Sequence, residues 1–162
     1  MIFVSVGTNE ARFDRLLRAV DGLDAPDGLV VQHGPSPVRP RGATCVDYLS
    51  FEDMTDHIRR ARVLIMHAGV GSVLAALGNG VRPLVVPRLK QFGEAVDDHQ
   101  VGFGRRLHAE GLVELVEDPD ALSGAVVRYE GRFEGAVGVE GRLVEELRDF
   151  IGSVVRPRTG PH

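Results

Sequence analysis

Short apolar runs alternate along this chain with segments in which apolar residues recur every three or four positions. Residues 2–6 (IFVSV), 28–34 (GLVVQHG), 44–49 (TCVDYL), 63–66 (VLIM), 84–86 (LVV) and 112–116 (LVELV) have the length and β-branched content of strands. Between the first two, Phe13, Leu16, Leu17 and Val20 fall at helical spacing, and Asp21-Gly22 ends the pattern. Ser50, with Asp53 three residues on, predicts a capped helix running to about Arg60. A helix is expected between the fourth and fifth runs. Another is expected over 96–110, stopped by Gly111, and a further one opens at Asp118-Pro119, where proline suits the first helical position. Five glycines from Gly124 to Gly141 predict loop or poor helix. Helical spacing resumes at Val139, Leu143, Leu147 and Phe150-Ile151. The expected organisation is one domain over 1–151 and a loose tail over 152–162.

Runs that are apolar at every position, such as 63–66 and 84–86, suit parallel strands covered on both faces. With helices interleaved, they predict an α/β protein with a doubly wound, Rossmann-like parallel sheet. Composition narrows the class further. At 162 residues the chain can bury about 70% of its unfolded surface. Its 26% charged and 43% hydrophobic residues are those of a globular protein. A net charge of −4 argues against nucleic acid as a partner. Cys45 is the only cysteine, so no internal disulfide can form, which fits a reducing compartment; a lone cysteine on a strand reads as a small buried hydrophobe. No run approaches the ~20 apolar residues of a membrane span, and the apolar start reads as a strand, not a leader. The expectation is a soluble cytoplasmic protein that meets a membrane only through a partner or surface patch.

The candidate chemistry lies where strands give way to helices, which in open parallel sheets is where ligands bind. HAGVGS, residues 67–72, follows the fourth run with His67 at its mouth. Gly69 and Gly71 lack Cβ atoms, so backbone N–H groups can approach a ligand, and Ser72 can cap the helix or donate to an oxygen. A helix N-terminus favours phosphate. The plainer reading is a tight turn with no ligand. Residues 87–100 (PRLKQFGEAVDDHQ) bring Arg88, Lys90, Gln91, Glu94, Asp97, Asp98, His99 and Gln100 to the same edge. Such a set suits a polyhydroxylated ligand, or else a solvated helix start. Gly7-Thr8-Asn9 offers N–H and hydroxyl groups, or caps the first helix. No clustered His/Cys spacing calls for a metal, and no cofactor is expected. There is no GxGxxG after the first strand and no GxxxxGK[ST], which argues against a nucleotide-dependent dehydrogenase or kinase. His33, His57, His108 and His162 read as surface or capping groups, and Arg59, Arg60 and Arg62 as a solvated helix end. The residues alone indicate a phosphate- and sugar-like ligand in a Rossmann-type cleft.

Residues 1–21 (MIFVSVGTNEARFDRLLRAVD), 67–77 (HAGVGSVLAAL) and 85–100 (VVPRLKQFGEAVDDHQ) resemble the glycosyltransferase family 28 C-terminal domain. The likeness spans 1–116 and is greatest to its short stand-alone branch, the small subunits of two-component UDP-sugar glycosyltransferases of dolichol-linked oligosaccharide or bacterial exopolysaccharide synthesis. It implies the single C-terminal-type half of a GT-B enzyme. That half would bind a UDP-sugar as donor for inverting hexosyl transfer to a lipid-linked acceptor. The acceptor and the base would belong to a membrane-associated partner chain at the cytoplasmic face. By the same resemblance His67, Gly69, Gly71 and Ser72 would face the donor diphosphate, with His67 the candidate for a catalytic contact. Asp98, His99 and Gln100 would face sugar hydroxyls. Gly7, Thr8 and Asn9 would line the cleft near the phosphates and the partner. Arg88 and Lys90 would add positive charge, and residues 7–13 and 92–93 would face the absent half. Ala75 stands where relatives carry a glutamate that holds the ribose. That departure keeps a second reading in play, a non-catalytic stabilising or regulatory subunit of a membrane glycosyltransferase.

Overall fold

A computed structural model of the chain describes residues 1–131. Six parallel strands form one sheet: β1 (Ile2–Ser5), β2 (Leu29–Gln32), β3 (Ala43–Val46), β4 (Val63–His67), β5 (Leu84–Val86) and β6 (Glu114–Leu115), in the order β3-β2-β1-β4-β5-β6. From β1 the chain winds outward to β3, then crosses back to β4 and winds the other way. The reversal therefore lies between β1 and β4, whose registers align Ser5 with Met66. A ligand crevice forms at such a switch point, beyond the carboxyl ends of the strands.

Side chains alternate across the sheet and feed two cores. Phe3, Leu64, Met66 and Val85 pack on one face with Ile58, Val73, Leu77, Phe103 and Leu107. These come from helices α2 (Phe51–Arg60), α3 (Val70–Gly78) and α4 (His99–Ala109). Ile2, Val4, Val31, Ile65 and Val86 pack on the other with Leu16, Leu17, Val20 and Leu122. Those come from α1 (Asp14–Val20) and α5 (Leu122–Val127). Both faces are covered, as the all-apolar runs require. Among the described residues no helix is long and apolar enough to cross a membrane.

Where boundaries move from the sequence reading, short side chains are the cause. Ser50 caps α2 as expected: its Oγ accepts the Asp53 N–H at 3.0 Å and donates to Asp53 Oδ2 at 2.9 Å. By contrast α1 has no side-chain cap and starts only at Asp14, so neither Thr8 nor Asn9 caps it. Asn9 Oδ1 instead accepts the Ala11 N–H at 2.8 Å, an Asx turn that keeps the loop out of the helix. α4 starts at His99 rather than 96. Asp98 Oδ1 takes the Lys90 N–H at 2.9 Å, Asp97 Oδ1 takes the His99 N–H at 3.0 Å, and Gly93 turns left-handed at φ 67°. Asp118-Pro119 opens one 3-10 turn, Pro119–Ala121, before α5, which runs through Gly124. Cys45 is only half-buried, because β3 is the sheet edge. His33, expected at the surface, is buried; its Nδ1 lies 2.8 Å from the Gly34 carbonyl oxygen. The helical spacing of 139–151 and the tail at 152–162 lie outside the described residues.

Candidate functional site

β4 delivers His67 to the switch point, and Gly69 is the N-cap of α3, with no side-chain cap. The imidazole is 8% exposed and fills the space two glycines leave. A Cβ on Gly7 would stand 2.2 Å from its Nε2, and one on Gly69 would stand 2.1 Å from its Cε1. These two glycines thus admit the ring, where the sequence reading takes the missing Cβ of Gly69 as openness to a ligand. Gly71 differs: a Cβ there meets nothing within 4 Å, and the residue borders open cleft. It leaves the first turn of α3 bare, with no acidic residue in it.

Both ring nitrogens are engaged. Nε2 lies 3.1 Å from Ser72 Oγ, and Nδ1 lies 3.3 Å from Gln100 Nε2. Gln100 Oε1 in turn accepts the Arg88 N–H at 3.0 Å. Burial is the main force that lowers the His67 pKa to about 4, and the Arg88 charge adds to it. The ring is therefore neutral near neutral pH, so it can meet an anion only as an N–H donor or through Ser72.

Arg88 is not the free cation beside the site that the resemblance led one to expect. It is fully buried. Its guanidinium donates to the carbonyls of Val6 at 2.7 Å, Ala11 at 3.0 Å and Glu94 at 3.0 Å, and lies 4.8 Å from the Phe13 ring centroid. It ties the loop after β1 to the loop after β5. Burial lowers its pKa to about 10, which still leaves it charged near neutral pH. Glu94 is buried as well; it pairs with Arg15 at 2.9 Å and accepts the Leu89 N–H at 3.0 Å, so it is closed to a sugar. Of the loop expected to face the absent half, Thr8, Asn9 and Arg12 are exposed, while Gly7 and Phe13 are buried. Phe92 is exposed.

Two clefts open here. The first, about 630 Å³, is lined by Gly7, Thr8, Asn9, His67, Gly69, Gly71, Ser72 and Ala75. The second, about 430 Å³, is lined by Asn9, Gly69, Val70, Val96, His99 and Gln100, among others. They share Asn9, Gly69 and Val70, so they meet over the start of α3. Small-molecule sites occupy about 300–1,000 Å³. Nine of the ten residues named from sequence border one cleft or the other. Asp98 borders neither, and its Oδ1 accepts the Lys90 N–H; Lys90 is also absent from both linings. His99 is held by Asp97, with Nδ1 2.6 Å from Oδ2. Sequence reading missed Leu49, in the turn between β3 and α2, and Phe51 and Met54, at the start of α2, which wall the first cleft. Their one signal was position, a strand-to-helix turn at the same sheet edge. Among the described residues no group of three His, Cys, Asp or Glu side chains could hold a metal ion.

Comparison with known proteins agrees with this fold. The chain is 32% identical over 123 residues to the human UDP-N-acetylglucosamine transferase subunit ALG13, covering 68% of this chain and 10% of that one. It is 30% identical over 107 residues to the Yarrowia lipolytica subunit of the same name, covering 62% and 53%. It thus spans a tenth to about half the length of these relatives. In fold it is similar to the kitacinnamycin glycotransferase, with a TM-score of 0.58 at 20% identity over 92% of this chain and 39% of that one. Acinetobacter baumannii MurG gives a TM-score of 0.53 at 20% identity over 90% and 44%. The architecture is one Rossmann-like half of a GT-B glycosyltransferase. The profile of the glycosyltransferase family 28 C-terminal domain matches residues 1–130, and the chain belongs to that family.

Proposed function

We propose that this chain is the donor-binding subunit of a two-component, inverting glycosyltransferase that moves a sugar from a UDP-sugar to a lipid-linked acceptor. The observation that carries the reading is the bare N-terminus of α3, with Gly71 and Ser72 open to the cleft at the switch point. A diphosphate set there meets unpaired backbone N–H groups, the positive end of a helix and a hydroxyl. The uridine would lie in the first cleft and the sugar in the second, near His99 and Gln100. Relatives named as UDP-N-acetylglucosamine transferase subunits make UDP-N-acetylglucosamine the first donor to test.

In the chemical step the acceptor hydroxyl attacks the anomeric carbon from the face opposite UDP. Charge grows on the departing diphosphate, and preorganised donors stabilise it. His67 is a poor general base: burial holds its pKa down at about 4, so the ring has little affinity for a proton, and both nitrogens are already bonded. The base and the acceptor site are assigned to a membrane-associated partner, which would recruit this chain from the cytoplasm to the inner membrane face.

Ala75 favours a second reading, a stabilising subunit that binds donor weakly or not at all. It lines the first cleft with a methyl group where a ribose-holding carboxylate is expected. Calorimetric titration with UDP, UDP-N-acetylglucosamine and UDP-glucose, with ADP as control, separates the two. Binding of uridine compounds alone supports the donor role. Silence toward all of them, in the isolated chain and in the co-purified pair, leaves the stabilising role.

A further inference from the structure

The two nitrogens of His67 are equivalent in the sequence and distinct in the structure. Gln100, the second residue of α4, has an amide with two different ends. Its oxygen accepts the Arg88 N–H at 3.0 Å; the amide nitrogen in that place would set donor against donor. The nitrogen must then face the ring, 3.3 Å from Nδ1. An NH2 group aimed at Nδ1 is satisfied only if Nδ1 holds a lone pair. The proton of the neutral imidazole is thereby placed on Nε2, 3.1 Å from Ser72 Oγ. Ser72 accepts it, and the hydroxyl proton of Ser72 has no acceptor among the described residues. In the opposite tautomer Gln100 and the ring would oppose each other as donors. Ser72 would spend its proton on Nε2 and show the cleft only lone pairs.

We propose that Gln100, anchored by the Arg88 backbone N–H, is a positioning residue that holds His67 in the Nε2–H tautomer and so turns the Ser72 hydroxyl proton toward an anion in the cleft. The last step rests on the reading of the cleft as a diphosphate site. The tautomer does not, since it belongs to the free chain. The charged group that faces the ring is Arg88, across the same network. An amide oxygen against the ring would raise the His67 pKa, but that oxygen is committed to the Arg88 N–H.

Long-range nitrogen–proton NMR on the labelled chain reads the proton on each ring nitrogen. The expected wild-type pattern near neutral pH is Nε2–H with Nδ1 bare. Gln100→Glu presents an acceptor to Nδ1 and is expected to place a proton there. A wild-type pattern with the proton on Nδ1 overturns the proposal without any variant. An unchanged pattern in Gln100→Glu, folded by its amide spectrum, overturns it too. In UDP titrations Ser72→Ala and Gln100→Glu should each lose at least about tenfold in affinity, the scale of one hydrogen bond to a charged group. The double variant should lose little more than either alone, whereas additive losses would break the proposed link. Wild-type Nε2–H with no UDP binding, by the chain alone or co-purified with its partner, would support the tautomer and sink the donor reading.

Discussion

Gly69 and Gly71 stand two positions apart and look alike in sequence, yet they serve opposite ends. Gly69 makes room for a ring already in place, and Gly71 leaves room for something still to come. Gly69→Ala drives a methyl into His67, and overpacking of that kind costs about 1–3 kcal/mol. Gly71→Ala meets no atom and adds helix propensity, so stability should stay level or rise by up to ~1 kcal/mol. Donor affinity should fall in both variants. Urea unfolding and UDP titration of the two proteins check the contrast, and equal loss of stability would refute the assignment of the two glycines.

At the scale of elements, Arg88 joins two loops that the chain separates by about eighty residues. Arg88→Met keeps an unbranched stem but ends where Nε stood, and strips the carbonyls of Val6, Ala11 and Glu94 of their donor. Each buried polar group left unsatisfied costs about 1–3 kcal/mol. The variant should lose at least ~3 kcal/mol in urea unfolding and release the loop carrying Asn9, seen as faster amide exchange at residues 7–13. The strands, the helix after Ser50 and the edge that carries the site were legible from periodicity and capping chemistry. The fate of Arg88 and Glu94 was not. A charged residue in a polar loop reads as solvated, and only tertiary carbonyls at the end of β1 show otherwise. The late start of α4 was hidden for a related reason: Asp97 and Asp98 compete for backbone N–H groups that helical spacing alone would count as helical.

For the molecule as a whole, His67 makes stability depend on pH. Its folded pKa, about 4, lies below the 6.5 of an unperturbed imidazole. The unfolded chain therefore takes up a proton that the folded chain refuses. Stability from this group is complete above 6.5, falls as pH drops from 6.5 towards about 4, and levels off below. The full shift bounds the effect at about 3 kcal/mol. Carboxylates titrate in the same region, so the quantity to measure is the difference between wild type and His67→Asn in urea unfolding near pH 7 and near pH 4.5. The wild type should lose more on acidification; parallel losses would mean that the imidazole is free to charge in the folded state.

The seating of His67 between two glycines has a thermodynamic consequence for whatever binds above it. The ring, Gln100 and Ser72 have surrendered their rotamer freedom on folding, and the backbone at the start of α3 is fixed by the helix it begins. Freezing a mobile side chain on association costs about 0.5–1.5 kcal/mol, and here few remain to be frozen. A ligand reaching the head of α3 therefore meets a surface already ordered, and the entropy lost on binding should belong mainly to the ligand.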